Sequence, residues 1–224
     1  MMQDDPIVIT GAARTPIGGF QGSLAPVPAP ELGSAAIAAA LERSGVTPES
    51  IEEVLMGCVL PAGLRQAPAR QAALGAGLPM GAPCTTINKM CGSGMKAAML
   101  AHDHILAGSG RIAIAGGLES MSNAPYLLPK ARSGYRLGNG ELLDHMFVDG
   151  LEDAYEPSKL MGNFAEDCAA RYSFSRKDQD DFAIESLTRA TEAIENGAFR
   201  DEIISVSVNT RKETITVDTD EQPL

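Results

Sequence analysis

A chain of 224 residues with 44% hydrophobic side chains can bury a substantial core, in one domain or two. Eighteen Lys and Arg against twenty-nine Asp and Glu give a formal charge of -11, which disfavours nucleic acid or an anionic membrane as partner, though not a local pocket for one small phosphate ligand. No stretch approaches the roughly 20 apolar residues of a membrane helix, and Cys58, Cys84, Cys91 and Cys168 lack the CxxC spacing of a zinc or redox site.

The first ten residues, with Asp4, Asp5 and Pro6 and no long apolar run, resemble neither a signal peptide nor a transit peptide. With free thiols expected, the default location is the cytoplasm. Ile7 to Thr10 is a short β-branched run closed by Gly11 and predicts a buried strand. A Gly- and Pro-rich loop follows. Glu31 to Arg43 then carries helical spacing, with Gly45 as its stop. Thr47, Pro48 and Glu49 form a cap-like turn leading to an apolar run from Val54 to Leu60.

A second helix is predicted over Ala69 to Ala76, a strand over Cys84 to Asn88, and a largely buried helix from the following MCGSGMKAAM segment to about Gly108. Arg111 to Gly117 is the next strand. This alternation predicts an α/β layer with a mostly parallel sheet. Beyond Glu119 the chain is richer in charge and aromatics, with turn residues and little periodicity, and is taken as an inserted loop region. Within it Lys177 to Glu195 is a helix carrying Phe182, Ile184, Ala190 and Ile194, and two strands near the end suit a hairpin. The predicted boundary divides residues 1–119 from 120–224. No internal repeat or low-complexity tract is found.

Chemistry concentrates in NKMCGSGMKAA, Asn88 to Ala98, where Cys91 sits between a strand and the start of a helix. The ordinary state of a free cysteine is a buried, inert thiol. Here unpaired backbone N–H groups and the helix dipole would favour a thiolate, Gly92 and Gly94 leave space beside the sulfur, and a strand-turn-helix elbow is a known way to expose a nucleophile. Glu119 reads as a structural carboxylate beside a glycine turn. His102, His104 and His145 read as packing or surface residues, and Asp178, Asp180 and Asp181 as a solvated first helical turn.

NKMCGSGMKAA resembles the nucleophile motif of the thiolases, the enzymes that make and cleave 3-ketoacyl-CoA. ARTPIG (Ala13 to Gly18), LPAG (Leu60 to Gly63), PARQAA (Pro68 to Ala73), GGLESMSNAPY (Gly116 to Tyr126), MGNFAED (Met161 to Asp167), SRKDQDDFA (Ser175 to Ala183) and RKETITVDTDE (Arg211 to Glu221) are similar to thiolase segments, in the same order.

The resemblance implies the first half of a layered α-β-α-β-α fold. It implies that Cys91 accepts the acyl group as a thioester, with its backbone N–H contributing to an oxyanion hole. Leu151 and Met161 match positions that contact pantetheine or the acyl group. Some family members place a histidine before that methionine; this chain has Leu160. Coenzyme A thioesters are the implied substrates, with no tightly bound cofactor and no metal.

The family's base histidine, second cysteine and Asn-held water come from segments resembling NEAFA, GHP and CxGGG, which do not occur here. The chain is therefore expected to be the N-terminal part of a longer thiolase, or to pair with a separate C-terminal half. A homodimer or homotetramer acting in fatty acid metabolism is implied by analogy. The alternatives are a non-catalytic thiolase-like binding or scaffold subunit and, ranked last, a decarboxylating ketoacyl synthase.

Overall fold

Pro30 near its start and Gly45 at its end frame the first helix, α1 (Ala29–Ser44), in the computed structural model, which describes residues 6–223. Gly45 adopts a left-handed φ of 66°, and its N–H reaches the carbonyls of Leu41 and Glu42. That is the helix ending glycine permits best, because a Cβ there is penalised. The N-terminal residues Asp4 and Asp5 lie outside the described residues.

The chain continues through β1 (Glu53–Gly57), α2 (Pro68–Gly75), β2 (Cys84–Ile87), α3 (Ser93–Leu106) and β3 (Ala113–Gly117). The strands form a wholly parallel sheet in the order β2-β1-β3, with Val54 opposite Cys84 on one side and Ile114 on the other. This is the predicted α/β layer. Alternation along β1 sends Val54 and Met56 to one face and Leu55 to the other. On the first face they meet Ile37 and Leu41 of α1 and Ala69, Ala72 and Ala73 of α2. On the second, Leu55 meets Ala97 and Ala101 of α3. Full burial of a side chain such as Val54 contributes about 1.5–3 kcal/mol relative to exposure.

Four expectations are corrected. Ile7 to Thr10 takes part in no strand among the described residues, and Ile9 is 90% exposed. A β-branched run becomes a strand only beside a partner, and none is offered here. Helix α3 is not largely buried: only Ser93, Ala97 and Ala101 are, while Met95, Met99 and Leu106 face solvent. Its apolar residues run round the helix, but the sheet covers one side only. The run Val54 to Leu60 leaves the sheet at Gly57, after which Val59 and Leu60 donate to a side chain instead of a strand. The fourth concerns residues 200–222, below.

Residues up to Asn123 together with Arg200–Gln222 form one compact unit and Ala124–Phe199 another. In the second, β4 (Tyr126–Leu127) pairs antiparallel with β5 (Leu143–Asp144), and a π-helical turn spans Phe147–Leu151. Then come α4 (Met161–Tyr172) and α5 (Arg176–Glu195). Ser175 caps α5: its hydroxyl accepts the Asp178 N–H while the Asp178 carboxylate accepts the Ser175 N–H. Asp180 and Asp181 pair with Arg176 and Lys177 on the same exposed turn. The apolar pattern of α5 buries nothing, and Phe182 is 78% exposed.

Residues 200–222 belong with the first unit, whereas the sequence reading placed all of 120–224 in the inserted region. They contain the antiparallel hairpin β6 (Val206–Asn209) and β7 (Thr214–Val217), whose Val206, Val208 and Val217 pack on Leu24 and Val27. Arg14 draws them back. It exchanges backbone hydrogen bonds with Glu202 and Ile204, and its guanidinium donates to Glu202 and to both oxygens of Asp220. A contact between positions this far apart in sequence leaves no local signature.

Candidate active site

The turn between β2 and α3 is locked by its own side chains. Asn88 Oδ1 accepts the Met90 N–H at 2.9 Å, the loop a residue of this type favours. Ser93 Oγ accepts the Lys89 N–H at 2.8 Å and donates to the Met90 carbonyl at 2.5 Å. The N–H groups of Gly92 and Ser93 donate to the Lys89 and Met90 carbonyls. These bonds hold Met90 at a left-handed φ of 49°, a conformation that costs a non-glycine residue free energy unless its surroundings enforce it.

Cys91 follows, exposed, one residue before the Gly92 cap of the 14-residue helix α3. Helix α3 can begin this close to the sheet because glycines face it. A Cβ on Gly57 would lie 2.5 Å from the Ser93 Cβ and 2.8 Å from the Gly94 nitrogen. A Cβ on Gly117 would stand 3.5 Å from the Gly94 Cα. The nucleophile candidate is thus presented to solvent by a rigid turn at the carboxyl end of β2.

The other thiols differ. Cys58 is buried, and burial, reinforced by the charge of Glu119, pushes its thiol up to about 12. Burial also raises Cys84. Cys168 is exposed on α4, in the second unit. Glu119 accepts the N–H groups of Val59 at 2.7 Å and Leu60 at 3.0 Å.

His102 is exposed beside Asp103, and His104 is half-buried on the same helix. His145 is buried, with Nδ1 2.6 Å from the Asp149 carboxylate. Leu151 ends the π-helical turn and is half-buried; Met161 opens α4 and is 65% exposed, not packed in a core. Glu152 and Leu160 form an antiparallel bridge, so Leu151 and Met161, each one residue outside it, are brought to the same end of their loop.

Ser93 and Asn88 were not singled out from the sequence as site residues. Their signals are local, an Asn two residues before Met90 and a Ser three after it. Among the described residues no group of three His, Cys, Asp or Glu side chains is placed to hold a metal, and no helix is long and apolar enough to cross a membrane.

The family model for the thiolase N-terminal domain matches residues 7–224. Acetyl-CoA acetyltransferase of Cupriavidus necator is 53% identical over 206 residues, covering 92% of this chain and 52% of that protein. The Pseudomonas aeruginosa enzyme of the same name is 51% identical over 223 residues, covering 99% and 56%. Acetyl-CoA acetyltransferase 2 of Arabidopsis thaliana is 52% identical over 203 residues, covering 91% and 50%. This chain belongs to the thiolase family. It spans about half the length of the curated relatives it matches.

Proposed function

We propose that this chain is the acyl-accepting half of a thiolase-type acetyl-CoA acetyltransferase. The observation that carries the reading is the exposed Cys91 on a turn locked by Asn88 and Ser93, in a chain about half identical to acetyl-CoA acetyltransferases. The Cys91 thiolate adds to the thioester carbonyl of an acyl-CoA. The tetrahedral oxyanion, held by backbone N–H groups, collapses with loss of CoA thiolate, which takes a proton as it leaves. The product is a thioester on Cys91. The α-carbanion of a second acetyl-CoA attacks it and releases the thiol; in reverse, CoA cleaves acetoacetyl-CoA or a longer 3-ketoacyl-CoA.

The groups that remove those protons are assigned to a C-terminal half, in the same precursor or as a separate chain. The bare face of α3 supports that assignment, since an unpartnered apolar face of this kind calls for a cover. Leu151 and Met161, at one end of their loop, are assigned to contacts with pantetheine or the acyl group. Coenzyme A thioesters act as substrates, with no tightly bound cofactor. The family likeness further supports a homodimer or homotetramer acting in fatty acid metabolism, and four free thiols support a cytoplasmic setting.

The test is mass spectrometry of this chain assembled with the second half of a thiolase and incubated with acetyl-CoA. One acetyl group on Cys91, absent from Cys91→Ser, is the expected result. An assembled protein that binds acetyl-CoA yet carries no adduct would instead be a binding or scaffold subunit. Thiolysis of acetoacetyl-CoA by residues 1–224 unaided would refute the need for a second half.

A further inference from the structure

We infer that Glu119 is a positioning residue for the Cys91 nucleophile, acting through the segment Cys58 to Leu60 and Asn88; the inference rests on the function proposed above. Beyond Gly57, β1 loses its neighbour on the β3 side after the Leu118 N–H donates to the Gly57 carbonyl. The next donors on that side, the N–H groups of Val59 and Leu60, find no strand. Glu119 takes their place with one oxygen each, and the Cys58 thiol points at the same carboxylate from 3.7 Å. Leu60 is buried, so its N–H left without a partner would carry the full desolvation penalty.

Two of these residues, Cys58 and Val59, are tied on their other side to the strand and turn that lead to the nucleophile. The Cys58 N–H donates to the Ile87 carbonyl at 2.9 Å, and the Asn88 side-chain amide donates to the Val59 carbonyl at 3.5 Å. The other end of that amide is the Oδ1 that holds the Met90 N–H. A continuous path therefore runs from Glu119 to Val59, to Asn88, to Met90 and so to Cys91. Both carboxylate oxygens accept backbone donors, which assigns Glu119 to geometry and leaves proton transfer to other groups. The path needs an acceptor-only side chain. An amide would turn an NH₂ group toward the Val59 or the Leu60 N–H, donor against donor.

The experiment uses this chain assembled with the second half of the thiolase, unsubstituted and as Glu119→Gln. Expected for the folded variant is a kcat for acetoacetyl-CoA thiolysis lower by roughly 10-fold, with KM within about twofold, because a small misplacement of a nucleophile costs rate more than binding. The pH midpoint for alkylation of Cys91 by iodoacetamide should shift as well. A purely structural carboxylate would lower the melting temperature and leave kcat per folded molecule and the alkylation midpoint where they were; that result overturns the inference.

If Glu119→Gln does not fold, Asn88→Asp interrogates the same path. It keeps the acceptor for Met90 and removes the donor to Val59, so kcat should again fall severalfold at constant KM, and an unchanged kcat overturns the inference. Where both variants fold, their effects should overlap in the double variant; effects that simply multiply would mean that Glu119 does not act through Asn88. Should the unsubstituted protein show no acetyl group on Cys91, it is the proposed function that fails, and this inference with it.

Discussion

The two faces of the three-stranded sheet are built to different degrees. On one, α1 and α2 seal Val54, Met56 and Cys58 under a continuous layer of Ile37, Leu41, Ala69, Ala72 and Ala73. On the other, α3 rests on the sheet through little more than Leu55, Ala97 and Ala101 and turns Met95 and Met99 outward, 69% and 51% exposed. The same element type, drawn from similarly apolar sequence, is finished in one place and open in the other. The open face is also the one from which Cys91 emerges. The proposed nucleophile needs an unfilled approach, and a helix whose second side is bare leaves room for the proposed second half.

The largest effect should come from charging the open face. Met95→Lys with Met99→Lys adds two cations where the proposed second half packs. Assembly should weaken by about 100-fold or more, since an uncompensated buried charge costs about 3 kcal/mol. The substitutions should change the stability of the chain alone by less than about 0.5 kcal/mol. Titration of the substituted chain with the second half, followed by acyl transfer, checks the first claim and urea unfolding the second. Undiminished assembly would show that α3 is not the docking side.

The sealed face should respond in the opposite sense. Val54→Ala removes fully buried methyl groups from the central strand and should cost about 2–3 kcal/mol by urea unfolding of the chain itself. Its effect on assembly should be slight. Equal losses for Val54→Ala and Met99→Ala in the isolated chain would erase the difference between the faces.

The contrast was only partly legible in the sequence. Periodicity and stop residues locate α1, α2, α3, β2 and β3 because those signals are local: Gly45 ends α1, and glycines frame α3. Ile7 to Thr10 has strand composition but no strand, because pairing is a relation with another segment and composition reports one side of it. The apolar ring of α3 shows that the helix can be covered all round without showing what covers it here. Phe182 and Ile184 on α5 mislead in the same way, their pattern being right for burial and their surroundings empty. Near the candidate site, the exposed placement of Cys91 on a strand-to-helix turn was legible from its flanking glycines. Glu119 was recognisable as structural, yet its partners Val59 and Leu60 stand some sixty positions away, and Arg14 meets Asp220 across nearly the whole chain. Such pairings appear only once the fold is known.

The smallest effect concerns how the finished part is closed. Arg14 holds Asp220 through two charge-assisted hydrogen bonds, and the Ile17 N–H donates to the same carboxylate. The guanidinium, with help from Ile17, keeps the Asp220 carboxyl below the usual carboxylate range. A depressed folded-state value means that the contribution is fully present above the unfolded carboxylate pKa, near 4, and is lost as pH falls through the lower folded value. Asp220→Asn should therefore cost about 1–2 kcal/mol at pH 7 and progressively less as the pH is taken below about 4. Hydrogen exchange should report the loss in the 14–23 loop and the β6–β7 hairpin ahead of the sheet. Glu221 sharpens the expectation: its carboxylate accepts the N–H groups of Ser23 and Gly19, and those backbone bonds hold it low as well. Acid should then release the loop through both carboxylates together. A cost for Asp220→Asn that does not vary with pH would mean that packing by Leu24, Val27 and the hairpin valines, and not charge, returns residues 200–222 to the first unit.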